Sequence, residues 1–204
     1  MNLSFLIKGI ILGFSIAAPV GPIGILCIRR TLTSGMICGF VSGIGAATAD
    51  AFYGCITAFG ITAIAGFLLQ QQFYTRLIGS LFLMYLGLAT LISKPAEQAK
   101  NAPRAGIISS YSSTFFLTIT NPMTIISFTA IFAGLGVGHG GKSYLAPLSM
   151  VAGVFIGSML WWLILSSITS VLCAKLNFNW LKWINRLSGM TMIGFAAINL
   201  YTVL

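Results

Sequence analysis

Long apolar runs, separated by short polar or basic segments, dominate the pattern of hydrophobic and polar positions along this chain. The runs cover approximately residues 3–28, 36–69, 77–92, 107–135, 145–172 and 187–204. A helix needs about 20 mainly apolar residues to cross the hydrocarbon core of a bilayer. The second run exceeds this length, so its helix must tilt or project beyond the core. The pattern predicts an all-α integral membrane protein with six transmembrane helices.

Composition strengthens this prediction, and we expect no soluble domain within these residues. Of the 204 residues, 57% are hydrophobic and 6% are charged, whereas about a quarter of the residues in a soluble domain are charged. The mean hydropathy is +0.98. We therefore expect one transmembrane domain over residues 1–204, in which a polar cytoplasmic loop at about 94–106 separates two halves, about 1–93 and 107–204.

The basic residues lie mainly on one side of the predicted spans. Counted on alternate sides, eight of the eleven fall on one side: Arg29, Arg30, Lys94, Lys100, Arg104, Lys175, Lys182 and Arg186. The other side has Lys8, Arg76 and Lys142. Cytoplasmic loops are enriched in Lys and Arg, so the first side is predicted to be cytoplasmic and both termini to lie outside. The net charge of +9 is interpreted as an orientation signal, and no nucleic-acid partner is predicted.

Two of the apolar runs contain helix-breaking residues near their centres. The first has Pro19, Gly21 and Pro22, and the fourth has Asn121 followed by Pro122. Proline has no N–H group and clashes with the preceding turn, so a continuous helix is unfavourable at both places. In lipid, the carbonyl groups freed by a break need a neighbouring helix, a cavity or a ligand as partner. Both breaks are therefore candidate binding sites.

The two halves of the chain resemble each other. Each has a broken first helix, and the segments at Arg76 to Gly79 and Arg186 to Gly189 both read Arg-Leu-X-Gly at the start of the third helix. Halves of three spans each insert in opposite orientations. The pattern predicts two inverted three-helix repeats, an arrangement in which interrupted helices at matching positions indicate the transport site. Chance similarity of two short motifs is the alternative.

Asp50 is the acidic residue that calls for a functional explanation. The other acid, Glu97, lies in the polar loop, where a solvated charge is sufficient. Asp50 lies roughly 16 Å into the second helix, near the bilayer midplane. A carboxylate there costs on the order of 3 kcal/mol to insert, and such residues commonly serve ion or proton paths. Asp50 is predicted to carry the coupling proton, to bind a substrate ammonium, or both; a structural partnership with Arg29, Arg30 or a break amide is the alternative.

The breaks and Asp50 together suit a zwitterionic substrate. Each break leaves a half-helix whose N-terminus has free N–H groups and a partial positive charge, which favour a carboxylate. Asn121 can cap the half-helix that it precedes. Tyr53 shares a helix face with Asp50 and either binds substrate or fills the core. The predicted substrate site consists of Pro19, Gly21, Pro22, Asp50, Tyr53, Asn121 and Pro122.

Small residues predict close helix packing around this site. Gly39, Gly43, Ala46 and Ala47 form a small-residue face on the second helix, and Gly153 and Gly157 do the same on the fifth. Such faces let helix backbones approach each other in membranes. Trp161 and Trp162 in the fifth helix are interpreted mainly as packing residues, although either is a candidate to line the path.

Three motifs resemble the LysE/RhtB family of bacterial amino-acid exporters. They are Pro19-Val20-Gly21-Pro22, the segment GAATADAFYG from Gly45 to Gly54, and Thr120-Asn121-Pro122. The resemblance covers essentially the full chain. It implies a cytoplasmic-membrane exporter of amino acids or their derivatives, driven by proton antiport and built from paired three-helix repeats.

The chain departs from the family pattern at two places. The family's first motif is Pro-Gly-Pro followed by Asn, whereas here Val20-Gly21-Pro22 is followed by Ile23. Met123 stands where a Lys commonly follows Asn-Pro. Both departures remove a polar or charged group, so they concern the substrate rather than the fold.

Three other functions are open on the sequence. For a divalent metal-ion exporter the chain has few possible metal ligands within the membrane, with one carboxylate and no His. A thiol-disulfide carrier needs cysteines that face each other. If the protein is a structural subunit, Asp50 and both breaks have no function. The cysteines are interpreted as buried small apolar residues: Cys27, Cys38, Cys55 and Cys173.

No enzymatic activity, cofactor or metal site is predicted. The expected partners are a small-molecule substrate, protons and the lipid bilayer. The identity of the substrate, the coupling stoichiometry and assembly into a homo-oligomer stay open.

Overall fold

In a computed structural model of the chain, the described residues fold into α-helices. The structure describes residues 2–19, 21–58, 71–92, 106–121, 124, 127–128, 145–173 and 178–201. The helices are α1 (Leu3–Ala17), α2 (Pro22–Ser34), α3 (Met36–Ala58), α4 (Gln72–Ile92), α5 (Gly106–Ile119), α6 (Leu145–Cys173) and α7 (Phe178–Tyr201). No β-strand occurs within these ranges, so the all-α prediction is confirmed for them.

Several helix ends differ from the ends of the apolar runs. α4 begins at Gln72 and α7 at Phe178, earlier than the runs that start near residues 77 and 187. Polar residues are accommodated in these first turns because a helix is held by backbone hydrogen bonds rather than by hydropathy. The predicted continuations of the second run to residue 69 and of the fourth to 135 lie outside the described parts of α3 and α5.

Two of the described helices are long and apolar enough to cross a membrane. They are Met36–Thr57, with mean hydropathy 1.3, and Leu145–Leu172, with mean hydropathy 2.0. The α1–α2 pair makes a third span if the bent pair is counted as one, and Arg76–Ile92 is a shorter apolar helix. These lengths suit membrane insertion.

The predicted break in the first span is present. α1 ends at Ala17, α2 begins at Pro22, and the two helices are bent by 82° relative to each other. The last bond of α1 runs from the Ala18 N–H to the Phe14 carbonyl, 3.0 Å away. Gly21 caps α2, and Pro22 takes the first helical position, where a missing N–H breaks no helix hydrogen bond. The local chemistry of proline therefore sets where α1 stops and α2 starts.

A glycine forms the corner between α2 and α3. Gly35 has φ 91°, a left-handed conformation that residues with a Cβ rarely adopt. Its carbonyl accepts the Cys38 N–H at 3.1 Å, which begins α3 immediately. This sharp corner lets α2 pack back against α3.

α6 packs against both α1 and α3. The α1–α6 contact is close because glycines face each other across it. A Cβ atom built on any of four glycines would lie 2.0–2.3 Å from a carbonyl oxygen of the facing helix. These are Gly9, Gly13, Gly153 and Gly157. The predicted close packing at Gly153 and Gly157 is confirmed, and its partner is α1.

The small-residue face of α3 is also buried between helices. A Cβ on Gly43 would lie 2.2 Å from the Cβ of Trp162 in α6, and one on Gly45 would lie 2.4 Å from the Tyr111 carbonyl in α5. Ala46 and Ala47 are buried as well. α3 is thereby held between α5 and α6 with the Asp50 region at the contact.

Candidate functional site

Two adjoining cavities lie beside the break between α1 and α2. The larger has a volume of about 580 Å³ and the smaller of about 110 Å³. Residues lining both are Ile16, Pro19, Gly21, Pro22, Ile23, Asn121 and Thr124. The two breaks, far apart in sequence, are therefore neighbours in the folded protein.

The larger cavity extends from the breaks toward α4 and α7. α4 contributes Arg76 and Ser80 to its wall, and α7 contributes Asn199. Thr120 and Ser127 add further hydroxyl groups from the region of the second break. The volume falls within the range of about 300–1,000 Å³ that is typical of small-molecule sites. The mixture of apolar and polar walls fits a small polar solute.

Asp50 lies at the wall of the smaller cavity and is 4% exposed. The Ser158 hydroxyl donates a hydrogen bond of 2.7 Å to Asp50 Oδ2, and Trp162 Nε1–H donates to Ser158 Oγ at 3.2 Å. Ser158 and Trp162 are one helical turn apart on α6, so one face of α6 orients the carboxylate. Asp50 is thus held by a hydroxyl rather than by Arg29 or Arg30, the arginine partners considered from the sequence.

Five of the seven residues predicted for the substrate site line these cavities. Pro19, Gly21, Pro22 and Asn121 line both of them. Asp50 lines the smaller one. The structure thus brings together three segments of the chain that the sequence pattern singled out separately.

Tyr53 is not among the described residues that line either cavity. It is buried, its hydroxyl donates a hydrogen bond to the Ile119 carbonyl, and its ring lies 6.2 Å from the ring of Phe128. Ile119 is the last residue of α5, so Tyr53 fixes the end of α5 at the second break. Pro122, the remaining predicted residue, lies outside the described residues.

The chain turns at Asn121 after α5. The Asn121 N–H donates to the Thr118 carbonyl at 3.1 Å, and the Asn121 carbonyl accepts from the Thr124 N–H at 3.1 Å. Helical positions recur beyond this turn at Thr124, Ser127 and Phe128. The backbone around Asn121 therefore has the form expected of an interrupted helix.

Arg30 forms a hydrogen-bond network that the sequence pattern did not indicate. Its Nη1 donates to Ser42 Oγ at 3.0 Å, the Ser110 carbonyl at 2.8 Å and Thr114 Oγ1 at 2.8 Å, and its Nη2 donates to Ser113 Oγ at 2.6 Å. These bonds join the end of α2 to α3 and α5. The cavities lie at the beginning of α2, whereas the network lies toward the other end of that helix.

Three further residues of the site were missed or only partly anticipated. Ser158 and Trp162 hold Asp50, and Arg76 lines the larger cavity. Arg76 precedes the apolar run 77–92 and was counted as an orientation signal, and it lies within a helix because α4 begins at Gln72. Ser158 has no distinguishing signal, because serine is common in membrane helices that pack closely.

No three His, Cys, Asp or Glu side chains come together as a candidate metal site in the part of the chain that the structure describes. The described thiols of Cys27, Cys38 and Cys55 are free. Cys27 and Cys38 are buried, as predicted, and Cys55 is half-buried. The polar chemistry of the cavities accordingly rests on Asp50, Arg76, hydroxyl groups and helix ends.

Comparison with known proteins assigns the chain to a group. A family model described as LysE type translocator matches residues 14–202. The "Putative amino acid efflux protein YcgF" of Bacillus subtilis (strain 168) is 24% identical over 190 residues, covering 91% of this chain and 90% of that protein. No solved structure matches the chain.

Proposed function

The chain belongs to the LysE type translocator family, and on that premise we propose that it exports amino acids or their derivatives across the bacterial cytoplasmic membrane in exchange for protons. It is a membrane transporter by family, and its Bacillus subtilis relative is named as an amino acid efflux protein. The observation that carries the proposal is the meeting of both helix breaks and Asp50 at two adjoining cavities.

The start of α2 supplies a place for the substrate carboxylate. The first N–H groups of a helix have no intrahelical acceptor. In α2 these belong to Ile23 and Gly24, because Pro22 has no N–H and the Ile25 N–H is bonded to Gly21. Ile23 and Gly24 both line the smaller cavity. A carboxylate there would accept hydrogen bonds from these amides and interact favourably with the positive end of the helix dipole.

Asp50 is the complementary group for an ammonium or a proton. It lines the same small cavity as the start of α2. A substrate ammonium and a proton would therefore compete for one carboxylate, which is a direct way to couple them. In this scheme Asp50 takes up a proton from outside as the substrate leaves, and releases it toward the cytoplasm.

Helix packing supports two inverted repeats of three spans each. In this scheme the first half has three spans: the α1–α2 pair, α3 and α4. The second half also has three: the span that starts with α5, then α6 and α7. In such a repeat α1 corresponds to α5, α3 to α6 and α4 to α7. The α1–α6 contact then corresponds to the α5–α3 contact, and both contacts are extensive. The other two main contacts, α3–α6 and α4–α7, map onto themselves under the same correspondence.

Alternating access is the mechanism that we propose for this arrangement. The cavities lie near the start of α2, and the Arg30 network joins the helices at its other end. Under the orientation predicted from the basic residues, that network is on the cytoplasmic side. Rocking of one repeat against the other would break these bonds and open the site to the cytoplasm.

Replacing Asp50→Asn is expected to abolish proton-driven export while leaving the protein inserted, because the amide cannot accept and release a proton at ordinary pH. The measurement is uptake into proteoliposomes under an imposed pH gradient, after counterflow against a panel of amino acids and divalent metals has identified the substrate. Glu97→Gln, which removes the chain's other acid, is the matched control.

Normal proton-driven export by the Asp50→Asn protein would refute the coupling role. Counterflow of divalent metals, with none of any amino acid, would refute amino-acid export itself. Loss of transport with normal assembly would separate a transporter from a structural subunit.

A further inference from the structure

The larger cavity has one basic side chain among its described lining residues, Arg76 of α4. Its Nε atom is buried and has no hydrogen-bond partner among the described residues. A guanidinium has five N–H donors and no acceptor. Leaving this buried donor unpaired is unfavourable, and the described residues supply no acceptor for it, so a ligand in the cavity is a candidate partner for the guanidinium.

The described residues offer the charge of Arg76 little compensation. The chain has two acids, and Asp50 lines the other cavity, where Ser158 donates to it. No acid is among the described residues that line the larger cavity. The nearby Thr120 hydroxyl already donates to the Phe116 carbonyl at 2.8 Å.

The surroundings of Arg76 suit a planar anion. Ser80 lies one turn further along α4 and also lines the cavity. Pro22, at the start of α2, lines the same cavity, so a helix N-terminus and a guanidinium face one space. Arginine binds carboxylates through two parallel hydrogen bonds, which fixes their orientation as well as their charge.

We propose that Arg76 binds a carboxylate of the exported substrate in the larger cavity. The inference rests on the proposed function and adds to it a specificity-determining residue. The carboxylate is either one on the substrate side chain, with the α-carboxylate at the start of α2, or the α-carboxylate itself, which then binds Arg76 in place of the α2 amides. A substrate with a cationic side chain is disfavoured, because that side chain would meet Arg76 in a space without a described acid.

The test measures ligand binding to the purified full-length protein by calorimetry and counterflow in proteoliposomes. The probes are glutamate, glutamine, lysine and glutamine amide, in which the α-carboxylate of glutamine is replaced by an amide. The variants are Arg76→Gln, which removes the charge, and Arg76→Lys, which keeps it. Lys8→Gln is the matched control, since Lys8 is an exposed cation on α1 that touches the Phe5 ring and neither cavity.

We expect Arg76→Gln to weaken carboxylate binding at least tenfold, Arg76→Lys to weaken it less, and Lys8→Gln to change it less than twofold. Equal weakening for glutamate and glutamine identifies the α-carboxylate as the ligand. Weakening for glutamate alone identifies the side-chain carboxylate. In either case the wild type binds glutamine amide or lysine more weakly than its preferred carboxylate.

Unchanged carboxylate affinity in a folded Arg76→Gln protein would overturn the inference, as would a wild type that binds lysine best or binds none of the four probes. If Arg76→Gln elutes abnormally in gel filtration, the carboxylate affinity of Arg76→Lys is compared with that of the wild type. Weaker binding supports the inference, and unchanged binding overturns it. Carboxylate binding that depends on Arg76, without counterflow of any amino acid, would leave this site standing and refute the proposed export.

Discussion

At the scale of single residues, Asp50 and its donor come from different halves of the chain. Ser158 lies 108 residues away in sequence and donates at 2.7 Å. The position of Asp50 inside an apolar run was sufficient to single it out, because a membrane carboxylate is costly and therefore rare. Its partner was not predictable, since the pairing depends on how α3 and α6 pack.

Replacing Ser158→Ala is expected to lower proton-driven export about tenfold without abolishing it. A hydrogen bond to a charged group contributes about 1.5–3 kcal/mol, so its loss disturbs the orientation and charge of Asp50 while leaving the carboxylate in place. The measurement is the initial rate of export in proteoliposomes. Ser166→Ala is the control, because the Ser166 hydroxyl on the same helix is buried without a hydrogen-bond partner. Equal rates for the two variants would argue against a role for Ser158.

Two arginines show the limit of reading charges along a sequence. Both were counted as orientation signals, yet Arg30 lies between three helices and Arg76 faces a cavity. A charge count uses position along the chain alone. The partner or cavity that a long side chain meets is decided by neighbouring helices.

At the scale of elements, the helix breaks and the close contacts follow different rules. The bend of 82° lies where Pro19 and Pro22 had predicted it, because proline acts on its own helix. The small-residue faces were also predicted, but their partners were not. Gly153 and Gly157 pack on α1, whose Gly9 and Gly13 complete the contact.

Replacing Gly157→Ala is expected to destabilise the protein and reduce the yield of monodisperse material. The new Cβ would lie 2.0 Å from the Ile10 carbonyl oxygen, so α1 and α6 must move apart. The measurement is thermal unfolding in detergent together with gel filtration. Gly194→Ala is the matched control, since a Cβ there meets nothing within 4 Å and alanine favours a helix by about 1 kcal/mol over glycine. Equal stability of both variants would contradict the close contact.

The two Arg-Leu-X-Gly segments, at Arg76 to Gly79 and at Arg186 to Gly189, do not have equivalent surroundings. Arg76 lines the larger cavity, whereas Arg186 is exposed. A Cβ on Gly79 would meet Thr120, whereas one on Gly189 would meet Leu91. The case for a repeat therefore rests on the pairing of helices rather than on these segments.

At the scale of the whole molecule, orientation in the membrane is a matter of charge balance. The predicted cytoplasmic side has eight basic residues against three. Leaving out Arg30 and Arg76, which lie within the helix assembly, leaves seven against two. The asymmetry persists, so the positive-inside rule still predicts that both termini lie outside.

A reporter that is active only in the cytoplasm is expected to be inactive when fused after Leu204. Alkaline phosphatase, which is active only outside, is expected to be active at the same position. A truncated fusion after Lys100, in the polar loop, provides the control and should give the opposite pair of results. Strong cytoplasmic activity at the C-terminus would reverse the predicted orientation.

Features that act locally could be predicted from the order of the residues along the chain. Apolar runs gave the helical membrane class, prolines gave the break between α1 and α2, and the lone carboxylate in an apolar run gave Asp50. These follow from the cost of exposing polar groups to lipid and from the missing N–H of proline.

The packing of the helices sets which of these features come into contact. Both breaks line two adjoining cavities, and Asp50 lines the smaller of them. Ser158 donates a hydrogen bond to Asp50, and Tyr53 donates one to the end of α5. Arg76 lies in the wall of the larger cavity. Each of these depends on contacts between helices far apart in sequence. Such contacts are set by the shapes of whole helix faces, above all the glycines that let α1 and α6 approach, and a linear pattern of polarity does not encode them.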